Sequence, residues 1–281
     1  MKTIGVVGAG TIGQGVAQEF SYYGYKVILV DNSNEALKNA EKGMIQNHKL
    51  YQLMGKKKGI STPEDMLRNI QFSANLQDLE RVDFLVENII ENYDAKKQLY
   101  FELNEICNSD VIYAANTSCI PITKISSNIK KPSNVIGLHF MNPVPLSNLV
   151  EVIKGFHTSE ETISIATELM HVLKKETVVV NDYPGFVSNR VLMLTINECV
   201  FLLQDGVATP EDVDKIFKLG FSHKMGPLAT ADLIGLDTVL YSLEELFNNY
   251  LDPKFRPSPY LKKLVDAGML GRKTGQGFFK Y

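Results

Sequence analysis

Thr3-Ile4-Gly5-Val6-Val7-Gly8-Ala9-Gly10-Thr11-Ile12-Gly13 is a short apolar, β-branched run that passes straight into a glycine-spaced turn. A helical pattern follows, with Ile12, Val16 and Phe20 on one face, and Val27-Ile28-Leu29-Val30 is the next strand, ending at Asp31. Strand, glycine turn, helix, strand and acid is the order of a dinucleotide-binding βαβ unit. Each glycine has a mechanical use there: Gly8 permits the tight turn, Gly10 lets the backbone approach a pyrophosphate, and Gly13 lets helix and strand pack closely. The helix that starts at Thr11 and Ile12 offers unpaired N–H groups and a partial positive charge to phosphates. Asp31 can accept both adenosine ribose hydroxyls and repels a 2′-phosphate, so NAD is expected in preference to NADP. The blander alternative is an α/β domain that merely uses a glycine turn.

At 281 residues the chain exceeds a typical single domain, so two domains are expected. Hydrophobic residues at 44% against 22% charged support a sizeable core and argue against disorder. A net charge of -3 and a pI near 6.0 give no electrostatic footprint for nucleic acid. Cys107, Cys119 and Cys199 are far apart and form no CxxC pair, so neither a disulfide framework nor a metal site is expected. Met1-Lys2 followed by apolar residues superficially resembles a signal peptide. The glycines of the turn, then Gln14, Gln18 and Glu19, interrupt any continuous apolar segment. No uncharged run has the length of a membrane span, and a cytoplasmic protein is expected.

A second stretch suggests chemistry. Val135-Ile136-Gly137-Leu138-His139-Phe140 and Leu149-Val150-Glu151-Val152-Ile153 are strand-length apolar runs separated by a segment holding Pro143 and Pro145. Neither proline fits inside a central strand, so the chain is expected to double back there. Antiparallel pairing then lets His139 and Glu151 meet. A carboxylate on one imidazole nitrogen fixes the tautomer, and the other nitrogen can take or give a proton. The alternative is a core histidine satisfied by a structural acid.

Asn32 to Gly55 reads as a long helix with Ser33 or Asn34 as its cap, ended by Lys56-Lys57-Lys58-Gly59, and Thr62-Pro63-Glu64-Asp65 starts another short helix. The lysines are either a solvated helix end or a clamp for an anionic ligand such as the phosphates of coenzyme A. Asp83 to Ile89 is a buried-type strand that emerges into Ile90-Glu91-Asn92, with a helix from Tyr93 to Ile106 behind it. Val111 to Ala115 is the next strand and runs into Asn116-Thr117-Ser118. Polar residues just past strand ends lie where ligands bind in an open parallel sheet, which puts Glu91, Lys96 and Ser118 on the site list. Ser118 can equally be a helix cap before Pro121, and Cys119 reads as a small buried thiol.

Glu160 to Leu173 is an amphipathic helix and Thr177 to Val180 a further strand. Beyond Asn181-Asp182-Tyr183-Pro184-Gly185 strand-type runs vanish. The expected domains are therefore 1–183, α/β with a mostly parallel sheet, and 184–281, all-helical. Helices are expected over Phe186–Leu203, from Thr209-Pro210 onward, over Leu228–Tyr250 and over Ser258–Ala267. Asn189, on an apolar helix beside the boundary, needs hydrogen-bond partners from protein or ligand. His48, His157, His171 and His223 have no ligand spacing and are assigned surface or capping roles.

Taken together, these residues resemble the 3-hydroxyacyl-CoA dehydrogenases along the whole chain, and among them the free-standing bacterial 3-hydroxybutyryl-CoA type. The carriers are Gly8 to Gly13, Val86-Glu87-Asn88-Ile89-Ile90-Glu91-Asn92, Asn116-Thr117-Ser118, and His139-Phe140-Met141-Asn142-Pro143-Val144-Pro145. Leu149 to Ile153, Pro184-Gly185-Phe186-Val187-Ser188-Asn189-Arg190, Met225-Gly226-Pro227 and Gly271-Arg272-Lys273-Thr274-Gly275-Gln276-Gly277-Phe278-Phe279 complete the set. The resemblance implies a Rossmann-like N-terminal domain, a helical C-terminal domain used in substrate binding and dimerisation, and an active site in a cleft between them. It implies His139 as acid–base, Glu151 as its orienting partner, and Ser118 and Asn189 as holders of substrate and reacting oxygen. The cofactor-binding set it implies is Gly8, Gly10, Thr11, Ile12, Gly13, Asp31, Glu91, Lys96, Asn116, Ser118 and Asn142. Helices after Asp31 clasp coenzyme A in the family, which places Lys56 among the substrate-binding residues. The implied partners are acetoacetyl-CoA and 3-hydroxybutyryl-CoA, with a homodimer or higher homo-oligomer and no nucleic acid or membrane. Two rivals are a sibling dehydrogenase of a hydroxy acid without coenzyme A and a catalytically silent, crystallin-like structural protein.

Overall fold

The computed structural model describes residues 3–55 and 62–281, and the chain divides into two compact units, Met1–Tyr183 and Pro184–Tyr281. In the first unit β1 (Thr3–Val7), α1 (Thr11–Tyr22) and β2 (Lys26–Val30) form a parallel crossover. α2 (Asn34–Leu53) starts at Ser33, whose hydroxyl accepts the Ala36 N–H, and α3 (Pro63–Leu67) starts at Thr62 with proline at its first turn. β3 (Ile70–Ser73), β4 (Phe84–Glu87), α4 (Tyr93–Ile106), β5 (Ile112–Ala115) and α5 (Ile122–Ser126) follow. β6 (Val135–Phe140), β7 (Leu149–Lys154), α6 (Glu160–Val172) and β8 (Glu176–Asn181) complete the unit.

The strands make one sheet in the order β3-β2-β1-β4-β5-β6-β7-β8. Pairs up to β6 are parallel, β6 with β7 is antiparallel, and β7 with β8 is parallel again. Central strands β4, β5 and β6 are buried at every residue, the composition expected of strands covered on both faces. Strand order reverses between β1 and β4. In an open α/β sheet that reversal leaves a crevice at the strand ends, and ligands bind there. The expected fold class, α/β with a mostly parallel sheet followed by helices, is the one observed.

Edge strand β3 escapes the sequence reading, because Ile70-Gln71-Phe72-Ser73 is short and only Ile70 is buried. It exists because β2 offers it a free main-chain edge.

The second unit packs α7 (Ser188–Gln204), α8 (Pro210–Gly220), α9 (Pro227–Ile234), α10 (Leu236–Tyr250) and α11 (Pro259–Asp266) around a core that includes Ile196, Leu228, Val239, Leu243 and Phe255. The single helix expected from Leu228 to Tyr250 is in fact α9 and α10. Gly235 at φ +103 breaks it, a conformation that a residue with a Cβ adopts only under strain. Two buried aspartates hold the Met225-Gly226-Pro227 and Gly271–Phe279 motifs in place. Asp214 accepts the Leu228 and Ala229 N–H groups, and a Cβ on Gly226 would lie 2.1 Å from it. Asp232 accepts the Phe278 and Phe279 N–H groups and the Tyr281 hydroxyl, with Gly277 equally close against it.

One histidine is misplaced by the sequence reading. His48 is fully buried between α1 and α2, not at the surface, with Nδ1 3.0 Å from the Tyr22 hydroxyl and its ring stacked on Tyr22. The ring lies on the apolar face of α2 with Leu37, Ala40, Met44 and Tyr51, a placement its charged neighbours in sequence conceal. Burial lowers its pKa below the ordinary 6.5, with Glu64 opposing. The unfolded chain therefore takes up the proton first. Stability is full above about pH 6.5 and is lost as pH falls below it through the folded pKa. His48→Gln is expected to flatten part of that slope, which thermal unfolding from about pH 7.5 down to about pH 5.5 checks. Equal slopes for the two proteins would remove His48 as the cause.

Candidate active site

At the switch point the glycine turn is built as a cradle. Gly8 sits at φ +96, and a Cβ there would lie 2.6 Å from the Asn88 carbonyl oxygen at the end of β4. A Cβ on Gly13 would lie 1.8 Å from the Gly8 oxygen, whereas one on Gly10 would meet nothing within 4 Å. Gly8 and Gly13 are thus required by the protein's own packing, and Gly10 faces open space. Helix geometry leaves the first-turn amides of α1 without acceptors inside the helix, and no acidic side chain stands in that turn. This is a fit for an anionic pyrophosphate. Asp31 accepts the Ala9 N–H at 2.8 Å and the Ser33 N–H at 2.9 Å, which fixes its carboxylate at the rim and leaves lone pairs for ribose hydroxyls. A cavity of about 1160 Å³ opens here, lined by Gly8, Gly10, Asp31, Asn88 and Ile90 among others.

Three strands along, the β6–β7 register places His139 directly opposite Glu151. Nδ1 of His139 lies 3.1 Å from Oε2 of Glu151, and Nε2 lies 3.2 Å from Oγ of Ser118. His139 is 7% and Glu151 4% exposed, so the pair interacts with little solvent screening. With an ionised Glu151 and a neutral ring, Nδ1–H donates to the carboxylate and Nε2 is left as an acceptor. Ser118 does not cap the helix that follows, since the N-cap of α5 is Pro121.

Glu91 and Lys96 are tied to the protein's own groups at the ends of β4 and β5. Oε1 of Glu91 accepts the Thr117 hydroxyl at 2.5 Å and the Ser118 and Cys119 N–H groups at 2.9 Å, which fixes the turn that carries Ser118. Lys96 is fully buried; its ammonium lies 2.6 Å from Glu87, 3.9 Å from Glu91 and 3.4 Å from the Asn116 carbonyl. Burial pushes the Glu87 carboxyl up, and the Lys96 ammonium pulls against it. Asn116 donates to the Asn88 side chain at 3.0 Å and accepts the Phe140 N–H at 3.2 Å, so the ends of β4, β5 and β6 are laced together. Asn142 is exposed and precedes a cis proline at the β6–β7 turn. Cys119 is a buried free thiol.

Asn189 stands in the first turn of α7 in the second unit. Lys56 lies outside the described residues, as do Lys57 and Lys58. Sequence reasoning missed Glu87, the buried partner of Lys96, because an acid at a strand end gives no sign of whether it faces ligand or core. Among the described residues no group of His, Cys, Asp and Glu could hold a metal ion, and no helix is long and apolar enough to cross a membrane.

Residues 3–183 match the family model described as 3-hydroxyacyl-CoA dehydrogenase, NAD binding domain, and residues 185–281 match that of the 3-hydroxyacyl-CoA dehydrogenase C-terminal domain. The chain belongs to the 3-hydroxyacyl-CoA dehydrogenase family. A Deinococcus radiodurans protein named "Probable 3-hydroxybutyryl-CoA dehydrogenase" is 48% identical, with 99% of each chain covered. The 3-hydroxybutyryl-CoA dehydrogenase of Clostridioides difficile is 41% identical over the same share of both chains. The crystal structure of (S)-3-hydroxybutyryl-CoA dehydrogenase from Ralstonia eutropha superimposes with a TM-score of 0.90 at 40% identity, covering 100% of this chain and 99% of that one. As a member of this family the chain is an NAD-dependent dehydrogenase, and its cofactor is NAD.

Proposed function

We propose that this 3-hydroxyacyl-CoA dehydrogenase interconverts (S)-3-hydroxybutyryl-CoA and acetoacetyl-CoA reversibly, with His139 as general acid–base and Glu151 as its orienting partner. The Ser118–His139–Glu151 chain of hydrogen bonds carries the chemical part of this reading. The names of relatives at 40–48% identity carry the substrate.

NAD held at the glycine turn would supply the hydride acceptor for C3 in oxidation and the donor in reduction. In oxidation Nε2 of His139 removes the 3-hydroxyl proton as the C3–O bond gains double-bond character. The imidazolium that forms is stabilised by Glu151, which matters because an unpaired cation in so buried a place is costly. In reduction the same nitrogen gives its proton to the ketone oxygen. Ser118, 3.2 Å from Nε2, orients the substrate oxygen beside it.

Gly8, Gly10, Thr11, Ile12 and Gly13 hold the cofactor's pyrophosphate in this reading, and Asp31 holds the adenosine ribose. Glu91, Lys96, Asn116, Ser118 and Asn142 complete the cofactor-binding set at the nicotinamide end. Asn189 and Lys56 belong to the substrate side. The same reading places the enzyme in the cytoplasm as a homodimer or larger homo-oligomer, with 1–183 as cofactor domain and 184–281 as substrate and dimerisation domain.

The test is NADH absorbance with acetoacetyl-CoA, against free acetoacetate and NADPH as comparators. Rapid loss with NADH and the thioester is expected. Faster loss with the free acid would move the chain to a sibling dehydrogenase. No loss from a folded protein that still binds NADH would leave a cofactor-binding protein without turnover.

A further inference from the structure

Lys175 is 5% exposed although it carries a charge, and the reaction proposed above does not use it. Its ammonium donates to the Val144 and Ser147 carbonyls at 2.8 Å each and lies 3.1 Å from Glu19 on α1. Glu19 is itself 1% exposed. Val144 and Ser147 belong to the loop that joins β6 to β7, between His139 and Glu151. One turn earlier on the same face of α1, Gly15 meets that loop directly, since a Cβ on it would lie 2.9 Å from the Val144 Cβ. The next residue repeats the tie, with the Glu176 N–H on the Asn148 carbonyl at 2.6 Å.

We infer that Lys175 is a positioning residue, which clamps the loop between the His139 and Glu151 strands onto the helix whose N-terminus holds the cofactor phosphates. The physical case rests on location. A buried ion pair adds little net stability compared with an apolar pair of the same volume, so retaining one is not explained by stability alone. Here it joins the two pieces whose relative placement sets the distance from the nicotinamide to Nε2 of His139. Rotation of α1 by a few degrees would shift the cofactor against the base, and misplacement on the scale of 1 Å costs rate steeply. The inference rests on the proposed reaction for its effect on turnover, and on family membership alone for its effect on NADH.

The double variant Glu19→Gln/Lys175→Met tests it, because removing both charges together leaves no uncompensated ion. NADH affinity is read first, without substrate, from the fluorescence of the bound nicotinamide. Next come kcat and KM for acetoacetyl-CoA, with Tm alongside. The expected result is a folded enzyme with NADH bound about 5-fold more weakly and kcat lower by about 10-fold, at near-constant KM for the thioester. Gly15→Ala pushes the same loop away from α1 without touching a charge and is expected to give the same signature, which keeps the test alive should the double variant fail to fold. A lower Tm with wild-type NADH affinity and kcat in the folded variants would make the lysine structural and overturn the inference. If the wild-type chain binds NADH but does not reduce acetoacetyl-CoA, the reaction falls and the NADH shift alone decides the clamp.

Discussion

His139→Gln is expected to lower kcat by roughly 10²–10⁴-fold, the usual worth of a positioned general acid–base. Glutamine is preferable to alanine because its amide can still donate to Glu151, whose carboxylate is 4% exposed and would otherwise lose its 3.1 Å partner. Alanine would add an unsatisfied buried acceptor to the loss of the base, and a fall in Tm would cloud the rate. NADH affinity should hardly move, since the cradle from Gly8 to Gly13 is built at the turn from β1 into α1. Glu151→Gln is the graded companion: it keeps the shape of the site and removes the counter-charge of the imidazolium, so its kcat should fall less than that of His139→Gln yet clearly below wild type. Stopped-flow reduction of acetoacetyl-CoA at saturating NADH reads both. Turnover near the wild-type rate in the histidine variant would leave the Ser118–His139–Glu151 chain structural and send the search for the base elsewhere.

The second large effect is at the glycine turn, where two substitutions that look alike should behave differently. Gly13→Ala puts a methyl 1.8 Å from the Gly8 carbonyl oxygen, which is backbone and cannot rotate away. The turn or the helix has to move, at a cost of about 1–3 kcal/mol or more. Both Tm and NADH affinity should fall, the latter by about 10-fold or more where the strain is released only by opening the cradle. Gly10→Ala adds a methyl with no protein atom within 4 Å, at φ -69 and ψ -175, a conformation alanine adopts freely. Its Tm should stay at the wild-type value while NADH binding weakens, because the methyl projects where the pyrophosphate approaches. Thermal melts with and without NADH separate the two. An unchanged NADH affinity in Gly10→Ala would mean that the phosphates do not pass over that backbone.

The family, the α/β class and the dinucleotide cradle were legible in the sequence because each is written locally. A glycine turn between strand and helix, an acid at the end of the next strand, and a proline-bounded break between two apolar runs all act within about one turn or one strand of themselves. Even the meeting of His139 with Glu151 was expected from that break, since two strands joined by a reversal can pair antiparallel, as β6 and β7 do.

Tertiary structure decided the buried charges. Glu19 and Lys175 look in sequence like ordinary solvated residues, Lys174-Lys175-Glu176 looks like a polar turn, and nothing local pairs Glu87 with Lys96. Their burial depends on elements far apart in the chain: Lys175 needs α1 and the β6–β7 loop together, and Glu91 closes on Ser118 only because β4 and β5 are neighbours. His48 was misplaced for the same reason, its charged neighbours lying on the other side of α2. Apolar spacing reports which face of an element turns inward. A charge is held inside only by partners that the fold delivers from elsewhere, because the cost of desolvation is met by geometry that no local pattern encodes.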